Sequence, residues 1–166
     1  MDRVKKNLSI LERKLTKANK LAAKGDDMKL ADAIKLGRKS NAMVATIQKG
    51  IKEYDGSDPT AQESMEVLEE MKVIVSLSEQ QVELLMKDKP VFDKLHVGGL
   101  VKRNLGKTSV VSEELENIML SKAPDDLKAE AEALAKRRKV AFEKAMAIYS
   151  NASGGEDAAE GEDDSD

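Results

Sequence analysis

The tripeptide Gly106-Lys107-Thr108 has the residue types that end a phosphate-binding loop. Such a loop needs another glycine five residues before its second glycine, and it must follow a β-strand and open a helix. Position 101 is Val101, and the flanking residues repeat at helical spacing rather than alternating as in a strand. We therefore interpret the tripeptide as part of a helix and predict no nucleotide site there.

His96 is the only histidine, and Asp93 precedes it by three residues, so both side chains fall on one helical face. A di-metal site in a helical bundle needs two such carboxylate–histidine pairs and additional glutamates. The adjacent acids Glu69-Glu70 and Glu113-Glu114 point to different helix faces, and the chain has no cysteine. We therefore predict no metal, no cofactor and no enzymatic activity, with His96 as a capping or surface residue.

Two polar residues occupy apolar positions of predicted helices. Ser78 falls on the apolar stripe of the third helix, where its hydroxyl needs a partner, and Arg138 lies between Ala135 and Phe142 on the seam of the last helix. An arginine on a core face can anchor the carboxylate of a ligand through charge-assisted hydrogen bonds. The alternative is that its stem crosses apolar surface while the guanidinium reaches water at the bundle edge.

The elements that must position these residues are helical. Aromatic residues make up 2% of the 166 residues, and eight methionines accompany the aliphatic residues, a composition that suits helices better than strands. Apolar residues recur at spacings of three and four, which predicts helices over residues 3–24, 27–54 and 59–87, from Pro90 onward, and over 124–150. The seam of the first helix comprises Val4, Leu8, Leu11, Leu15, Ala18 and Ala22. We predict an all-α fold, a single up-and-down-type bundle of about five helices.

Local signals refine these helices. Asp58 as N-cap and Pro59 at the first helical position start the third helix. The apolar seam of the second helix begins at Leu30, and that of the third begins at Met65. Gly98-Gly99 loosens the helix that follows Pro90, and we expect this glycine step to govern access to the bundle interior.

Charge divides the chain into a body and a tail. Residues 1–150 hold 28 basic and 24 acidic residues, whereas residues 151–166 hold seven acidic residues and no basic one. We predict a helical ligand-binding domain over 1–150 and a disordered acidic tail over 151–166. No apolar run approaches the roughly 20 residues of a membrane span, and Met1-Asp2-Arg3 leads into an amphipathic pattern rather than an apolar signal sequence.

The first helix carries a basic face, for which two interpretations remain. It is a solvated face of the bundle, against which the acidic tail can fold, or it contacts an anionic membrane or nucleic acid together with the tail. We favour the solvated face and expect no nucleic acid to bind. The sequence makes no prediction of the oligomeric state.

Two stretches carry a resemblance to a known family. KDKPVFDKLHVGGLVKRNL contains a Lys-Pro-x-Phe-Asp-Lys turn, a glycine step and a leucine-spaced helix, and LSKAPDDLKAEAEALAKRRKVAFEKAMAIYS contains a Pro-x-Asp-Leu helix start, Ala-Phe-x-x-Ala and a final Tyr-Ser. Over about Leu84–Ser150 the chain resembles the fungal family of hydrophobic surface-binding proteins A and cell-wall galactomannoproteins. The earlier residues fit this family more loosely.

The resemblance implies a non-enzymatic helical bundle, secreted or bound to the cell wall, that holds a fatty acid or other lipid or adsorbs to a hydrophobic surface. A cytoplasmic location is the alternative, and glycosylation of the Asn7 and Asn151 sequons would matter only after secretion. Methionine and alanine can line an adaptable cavity, although an ordinary core would have the same residues. The predicted ligand-binding residues are Met43, Ile47, Leu68, Met71, Val75, Ser78, Phe92, Leu105, Thr108, Leu134, Arg138 and Phe142.

Overall fold

The computed structural model describes residues 1–165, and within this range the chain forms six α-helices and no β-strand. The helices are α1 (Asp2–Ala22), α2 (Leu30–Asp55), α3 (Ala61–Lys87), α4 (Lys89–Lys94), α5 (Gly98–Lys122) and α6 (Asp125–Ile148). A 3-10 turn at Gly25–Asp27 precedes α2. The predicted all-α bundle is confirmed, with five long helices and the short α4 between α3 and α5.

The five long helices form a closed ring. Helix α1 packs against α2 and α3, α2 also packs against α5, and α6 closes the ring between α5 and α3. The chain therefore crosses the ends of the bundle twice, once from α2 to α3 and once from α3 through α4 to α5. Because every long helix has only two principal neighbours within residues 1–165, the ring encloses one interior that all five share.

The helix directions follow from contacts near the ends. At the end of α5, the Lys122 ammonium donates to the Asp55 carbonyl oxygen at the end of α2 (2.7 Å), so these two helices run parallel. Just after α6, the Tyr149 hydroxyl donates to the Leu85 carbonyl oxygen near the end of α3 (2.5 Å), so α3 and α6 are also parallel. Short connections reverse the direction between consecutive long helices, which places α1, α3 and α6 in one direction and α2 and α5 in the other.

The start of α3 differs from the prediction. Thr60, not Asp58, is the N-cap: its hydroxyl accepts a hydrogen bond from the Glu63 N–H (3.2 Å), and the Glu63 carboxylate accepts one from the Thr60 N–H (3.0 Å). This reciprocal capping box satisfies two backbone donors at the helix start. The helix therefore begins at Ala61, and the prediction of Asp58 and Pro59 as its first residues is wrong.

Two residues predicted on buried seams are exposed. Leu30 in α2 and Met65 in α3 have exposed fractions of 47% and 46%. Leu30 is the first residue of α2, at the end of the bundle, whereas Met65 lies one turn into α3, where Ser64 and Leu68 take the buried positions. The early part of α2 buries Ala33, Leu36 and Gly37 instead.

Residues 151–165 form an irregular segment, called the tail below, that lies against the bundle. The Leu100 N–H at the start of α5 donates to the Gly154 carbonyl oxygen (3.1 Å), and the Asn41 amide in α2 donates to the Ala159 carbonyl oxygen (2.9 Å). The predicted disorder of the tail and the division of the chain at 150 stay predictions, and the acidic residue Asp166 lies outside the described residues.

The glycine step at the start of α5 makes room for the tail. A Cβ atom on Gly99 would lie 2.1 Å from the Glu156 carboxylate oxygen and 2.7 Å from the Gly154 nitrogen, and one on Gly98 would lie 3.2 Å from the Ala152 Cβ. The two glycines therefore allow the tail to approach the start of α5, and their role in access to the interior stays a prediction. The helix is interrupted just before this step, at His96, which is exposed and has a positive φ of 60°.

Among the helices that the structure describes, none combines the length and the apolar composition that crossing a bilayer requires.

Candidate ligand-binding interior

Three small cavities lie in file along the interior of the ring. The upper cavity, of about 30 Å³, is near α4 and is lined by Leu85, Phe92 and Leu100. The middle cavity, also about 30 Å³, is lined by side chains from all five long helices. The lower cavity, of about 40 Å³, is lined by Tyr54 and Ser64 at the opposite end. Each is of the size that holds a single water molecule.

Neighbouring cavities share lining side chains. Gln81, Thr108 and Phe142 line both the upper and the middle cavity. Met71 and Glu116 line both the middle and the lower cavity. The interior is therefore an interrupted channel along the bundle axis, which rotation of these side chains and a small outward shift of the helices would join.

The structure brings all twelve predicted ligand-binding residues to these cavities. The middle cavity is lined by Met43, Ile47, Met71, Val75, Ser78, Thr108, Arg138 and Phe142. Phe92 and Leu105 line the upper cavity, and Leu68 and Leu134 line the lower cavity. Their contact with a ligand stays a prediction. Thr108 belongs to the interior through a helical position in the middle of α5, as expected for the phosphate-loop-like tripeptide.

Arg138 is buried and forms an ion pair with Glu116. The two residues have exposed fractions of only 5% and 8%. The Arg138 Nε lies 2.9 Å from both Glu116 carboxylate oxygens, and its Nη2 lies 2.8 Å from Oε1. The predicted alternative, in which the guanidinium reaches water at the bundle edge, is wrong because a carboxylate on α5 satisfies the guanidinium inside the protein.

Beyond Glu116, the Arg138 guanidinium has two further contacts among the described residues. The Arg138 guanidinium carbon lies 5.3 Å from the centre of the Phe142 ring, and Nη1 reaches only the Ser109 hydroxyl, at 3.5 Å. Burial raises the pKa of Glu116 above its ordinary value, although the bond to Arg138 opposes this shift. Ionised Glu116 therefore carries a desolvation cost, and its interaction with Arg138 offsets this cost only in part.

Two further polar residues, Ser64 and Tyr54, line the lower cavity. The Ser64 hydroxyl is buried and has no hydrogen bond within the described chain. Tyr54 is 2% exposed, and burial raises the pKa of its phenol. Because a buried polar group without a partner is costly, the Ser64 hydroxyl is a position at which a ligand head group or a water molecule would be held.

The predicted ligand-binding residues do not include four polar residues that line the cavities: Glu116, Gln81, Tyr54 and Ser64. Glu116 had a signal: it lies four residues after Ser112 and three before Met119, on the buried stripe of α5. An acid and Arg138, each on an apolar stripe, predict a buried ion pair when they are read together. Gln81 had the same signal, since it lies three residues after Ser78 on α3.

The basic face of α1 meets the tail. The Arg13 guanidinium lies 2.9 Å from the Asp164 carboxylate, and the Lys17 ammonium donates to the Asp164 carbonyl oxygen at 2.8 Å. In α2, Lys39 is 4% exposed and lies 3.5 Å from the Asp163 carboxylate. Contact of this face with an anionic membrane or nucleic acid stays a prediction, and in this arrangement such a ligand would have to displace the tail.

The outer surface has a broad groove that is lined in part by apolar side chains. Val44 and Ala45 of α2, Val110 of α5 and Met146 of α6 line an open groove of about 830 Å³. Val110 is 59% exposed and Met146 is 38% exposed. Gly106 contributes to the breadth of the groove, since no atom lies within 4 Å of the position where its Cβ would be.

Comparison with known proteins gives a family and a fold. The family described as hydrophobic surface binding protein A matches residues 1–121. The match therefore includes α1 to α3, where the sequence resemblance was loosest, and ends before α6. No protein with a curated description matches the sequence.

Several solved structures share the fold at low sequence identity. The structure of AFMP4P in complex with palmitic acid has a TM-score of 0.85 at 15% identity and covers 89% of this chain and 98% of its own. Ligand binding domain 1 of the Penicillium marneffei MP1 protein, with arachidonic acids, has a TM-score of 0.80 at 20% identity, covering 87% and 95%. Domain 2 of that protein, also with arachidonic acids, has a TM-score of 0.83 at 14% identity, covering 92% and 96%.

Proposed function

The chain belongs to the hydrophobic surface binding protein A family, and from this premise we propose that it binds one long apolar chain, such as that of a fatty acid or another lipid, inside the ring of helices. No catalytic step is part of this function. The observation that carries the proposal is the file of three cavities, in which neighbouring cavities share lining side chains. The palmitic and arachidonic acids in structures of the same fold support an alkyl chain as the occupant.

Binding requires the interior to open. The three cavities are each 30–40 Å³, whereas ligand pockets in proteins typically measure about 300–1,000 Å³. Met71 separates the middle and lower cavities, and the flexible methionine side chain can adopt other rotamers at little cost. The ligand therefore enters a bundle that is closed in its absence and widens around the alkyl chain.

A pair of methionines on α3 provides the test. Met71→Trp fills the junction between the middle and lower cavities, while Met65→Trp adds the same ring at an exposed position of the same helix. We expect Met71→Trp to weaken binding of palmitate by about five- to 150-fold, since overpacking of the channel costs about 1–3 kcal/mol, and Met65→Trp to bind as the wild type does. Titration of a fluorescent fatty acid, with circular dichroism as a check of folding, measures both. Equal affinities of the two variants would place the ligand outside the channel.

Adsorption to a hydrophobic surface is the second candidate, and the outer groove favours it. The groove presents Val110 and Met146 beside the buried Val111. We expect Val110→Ser with Met146→Ser to reduce adsorption to polystyrene beads several-fold. Val140→Ser is the matched control, because Val140 is 55% exposed on α6 but lies outside this groove. If the control reduced adsorption equally, the groove would have no specific role.

An extracellular or cell-wall location follows from the same premise and is part of the proposal. The two sequons differ in the structure: Asn7 is 4% exposed and donates to the Thr46 carbonyl oxygen (2.9 Å), whereas Asn151 is exposed at the start of the tail. A secreted form would therefore carry a glycan at Asn151 and not at Asn7. Fractionation of producing cells into medium, wall and cytosol tests the location, and recovery from the cytosol alone would contradict it.

A further inference from the structure

The Glu116–Arg138 ion pair poses a charge problem for any ligand with a carboxylate. Arg138 is the cation in the wall of the middle cavity, and Glu116 on α5 already neutralises it. A second carboxylate beside Arg138 would leave one negative charge in excess in an interior that is shielded from water. Such a charge is strongly disfavoured unless it is paired or protonated.

The guanidinium has donors that Glu116 does not engage. Glu116 engages the Nε and Nη2 of Arg138, whereas Nη1 has only the weak contact with Ser109 at 3.5 Å. An arginine carries five N–H donors and can accept carboxylates on more than one edge. The geometry therefore allows a ligand carboxylate to approach Arg138 while Glu116 is still close to it.

We propose, on the basis of the function proposed above, that a ligand carboxylate pairs with Arg138 and that Glu116 takes up one proton from solvent as the ligand binds. The carboxylate anion and the proton enter together, so the interior stays neutral: Arg138 balances the ligand, and Glu116 becomes an uncharged acid that can donate a hydrogen bond. Burial already disfavours the charged form of Glu116, which agrees with this direction.

The charged and ionisable groups around Glu116 are few. From α6 it faces Arg138, with Lys139 further away, and on its own helix Glu113 adds repulsion. Tyr54 of α2 lines the lower cavity with it and contributes a phenol. The residues of α1 and α3 that share these cavities with Glu116 carry no ionisable side chain within the described chain. Glu116 is therefore the group that most readily takes up the proton that removes the excess negative charge.

Calorimetry of the full chain with dodecanoate and with 1-dodecanol tests this proposal. Titrations in two buffers of different ionisation enthalpy give the number of protons exchanged. We expect uptake of one proton per dodecanoate and none per dodecanol. Dodecanoate affinity should fall by about tenfold per pH unit above the pKa of Glu116, as linkage of one proton requires. Binding of both ligands without proton uptake overturns this proposal and leaves the proposed function standing. Binding of neither overturns both.

The variant Glu116→Gln and a ¹³C spectrum of the ligand carboxyl group identify the group that accepts the proton. Glu116→Gln should abolish proton uptake and make dodecanoate binding independent of pH, since Arg138 is then free for the ligand. Dodecanoate labelled with ¹³C at the carboxyl group should show an ionised carboxylate when bound to the wild type from pH 8 to pH 5. A bound carboxyl in the protonated form would mean that the ligand itself takes the proton, which overturns the proposal even if the variant does not fold.

Discussion

The Glu116–Arg138 pair of the interior and the Arg13–Asp164 pair of the tail both join an arginine to a carboxylate, but in opposite surroundings. Glu116 and Arg138 are almost completely buried and make three close contacts. Arg13 and Asp164 at the tail have side chains that are 51% and 44% exposed. Water and salt screen exposed charges, whereas a buried charge depends entirely on its partner. The interior pair should therefore respond to mutation and pH, and the tail pairs to salt.

Removal of one partner of the interior pair should have the largest effect. Arg138→Leu leaves Glu116 buried without a cation, and we expect a loss of about 3–5 kcal/mol in the free energy of unfolding at pH 7. The double variant Glu116→Leu with Arg138→Leu removes both charges and should lie close to the wild type. Urea denaturation measures both variants. Equal losses in the single and the double variant would contradict the idea that the unpaired charge is responsible.

Two carboxylates that form no ion pair in the described part of the chain, those of Asp88 and Glu70, should make the stability of the protein depend on pH. Asp88 is 2% exposed, burial raises its pKa to about 6, and a hydrogen bond with Glu12 and burial raise that of Glu70 to about 7. Because these pKa values exceed those of the unfolded chain, the folded protein binds protons more readily between pH 7 and pH 5. Stability should therefore increase as the pH falls through this window.

Asp88→Asn isolates one part of this effect. One pKa unit corresponds to about 1.4 kcal/mol, so the substitution should stabilise the protein by about 1–3 kcal/mol at pH 7 and by much less at pH 4. Thermal unfolding at a series of pH values measures the difference. A variant whose gain is the same at both pH values would show that charge at Asp88 is not the cause.

A methyl group at the glycine step should loosen the tail at moderate cost. Gly99→Ala places a Cβ against Glu156 and Gly154, and we expect a loss of about 1–2 kcal/mol together with faster exchange of the Leu100 amide hydrogen. Gly56→Ala is the control, since the nearest atom to its Cβ would be the Lys52 carbonyl oxygen at 3.6 Å. Protection of the Leu100 amide that matches the wild type would show that the tail contact survives.

The smallest effect should be that of salt on the contribution of the tail to stability. Deletion of residues 151–166 removes exposed ion pairs such as Arg13–Asp164, and the part of their contribution that salt screens should be about 1 kcal/mol or less. Raising the salt concentration from 0.1 M to 1 M should reduce the difference in unfolding free energy between the full chain and the shortened chain. If salt changed the unfolding free energy of both chains equally, the expected sensitivity of the tail ion pairs to salt would be contradicted.

The sequence predicted the helices and the interior residues better than the arrangement of the helices. The α1 seam from Val4 to Ala22 is buried throughout, because a 3.6-residue period leaves one continuous apolar face. The order of helices around the ring was beyond prediction, since the apolar seams consist of the same few residue types and none specifies its neighbour. Contacts between α2 and α5, for example, depend on Gly37 lying beside Leu100, 63 positions along the chain.

The site was predicted in part for the same reason. Arg138 was conspicuous on an alanine-rich seam, but Glu116 follows the acids Glu113 and Glu114 and so resembles part of an exposed charged run. The tail was identified by composition, whereas its path depends on the close contact of Ala159 with Gly37 and of Glu156 with Gly99. Contacts between residues distant in sequence decided both features.

The dipoles of five helices that run along one axis, three in one direction and two in the other, do not cancel. Each helix carries about half a positive charge at its N-terminus and half a negative charge at its C-terminus. With α1, α3 and α6 in one direction and α2 and α5 in the other, about half an elementary charge remains uncancelled, positive at the end where Ser64 and Tyr54 lie. This polarity favours an anionic head group toward that end, so a fatty acid should thread the bundle in one orientation, with its methyl end toward α4.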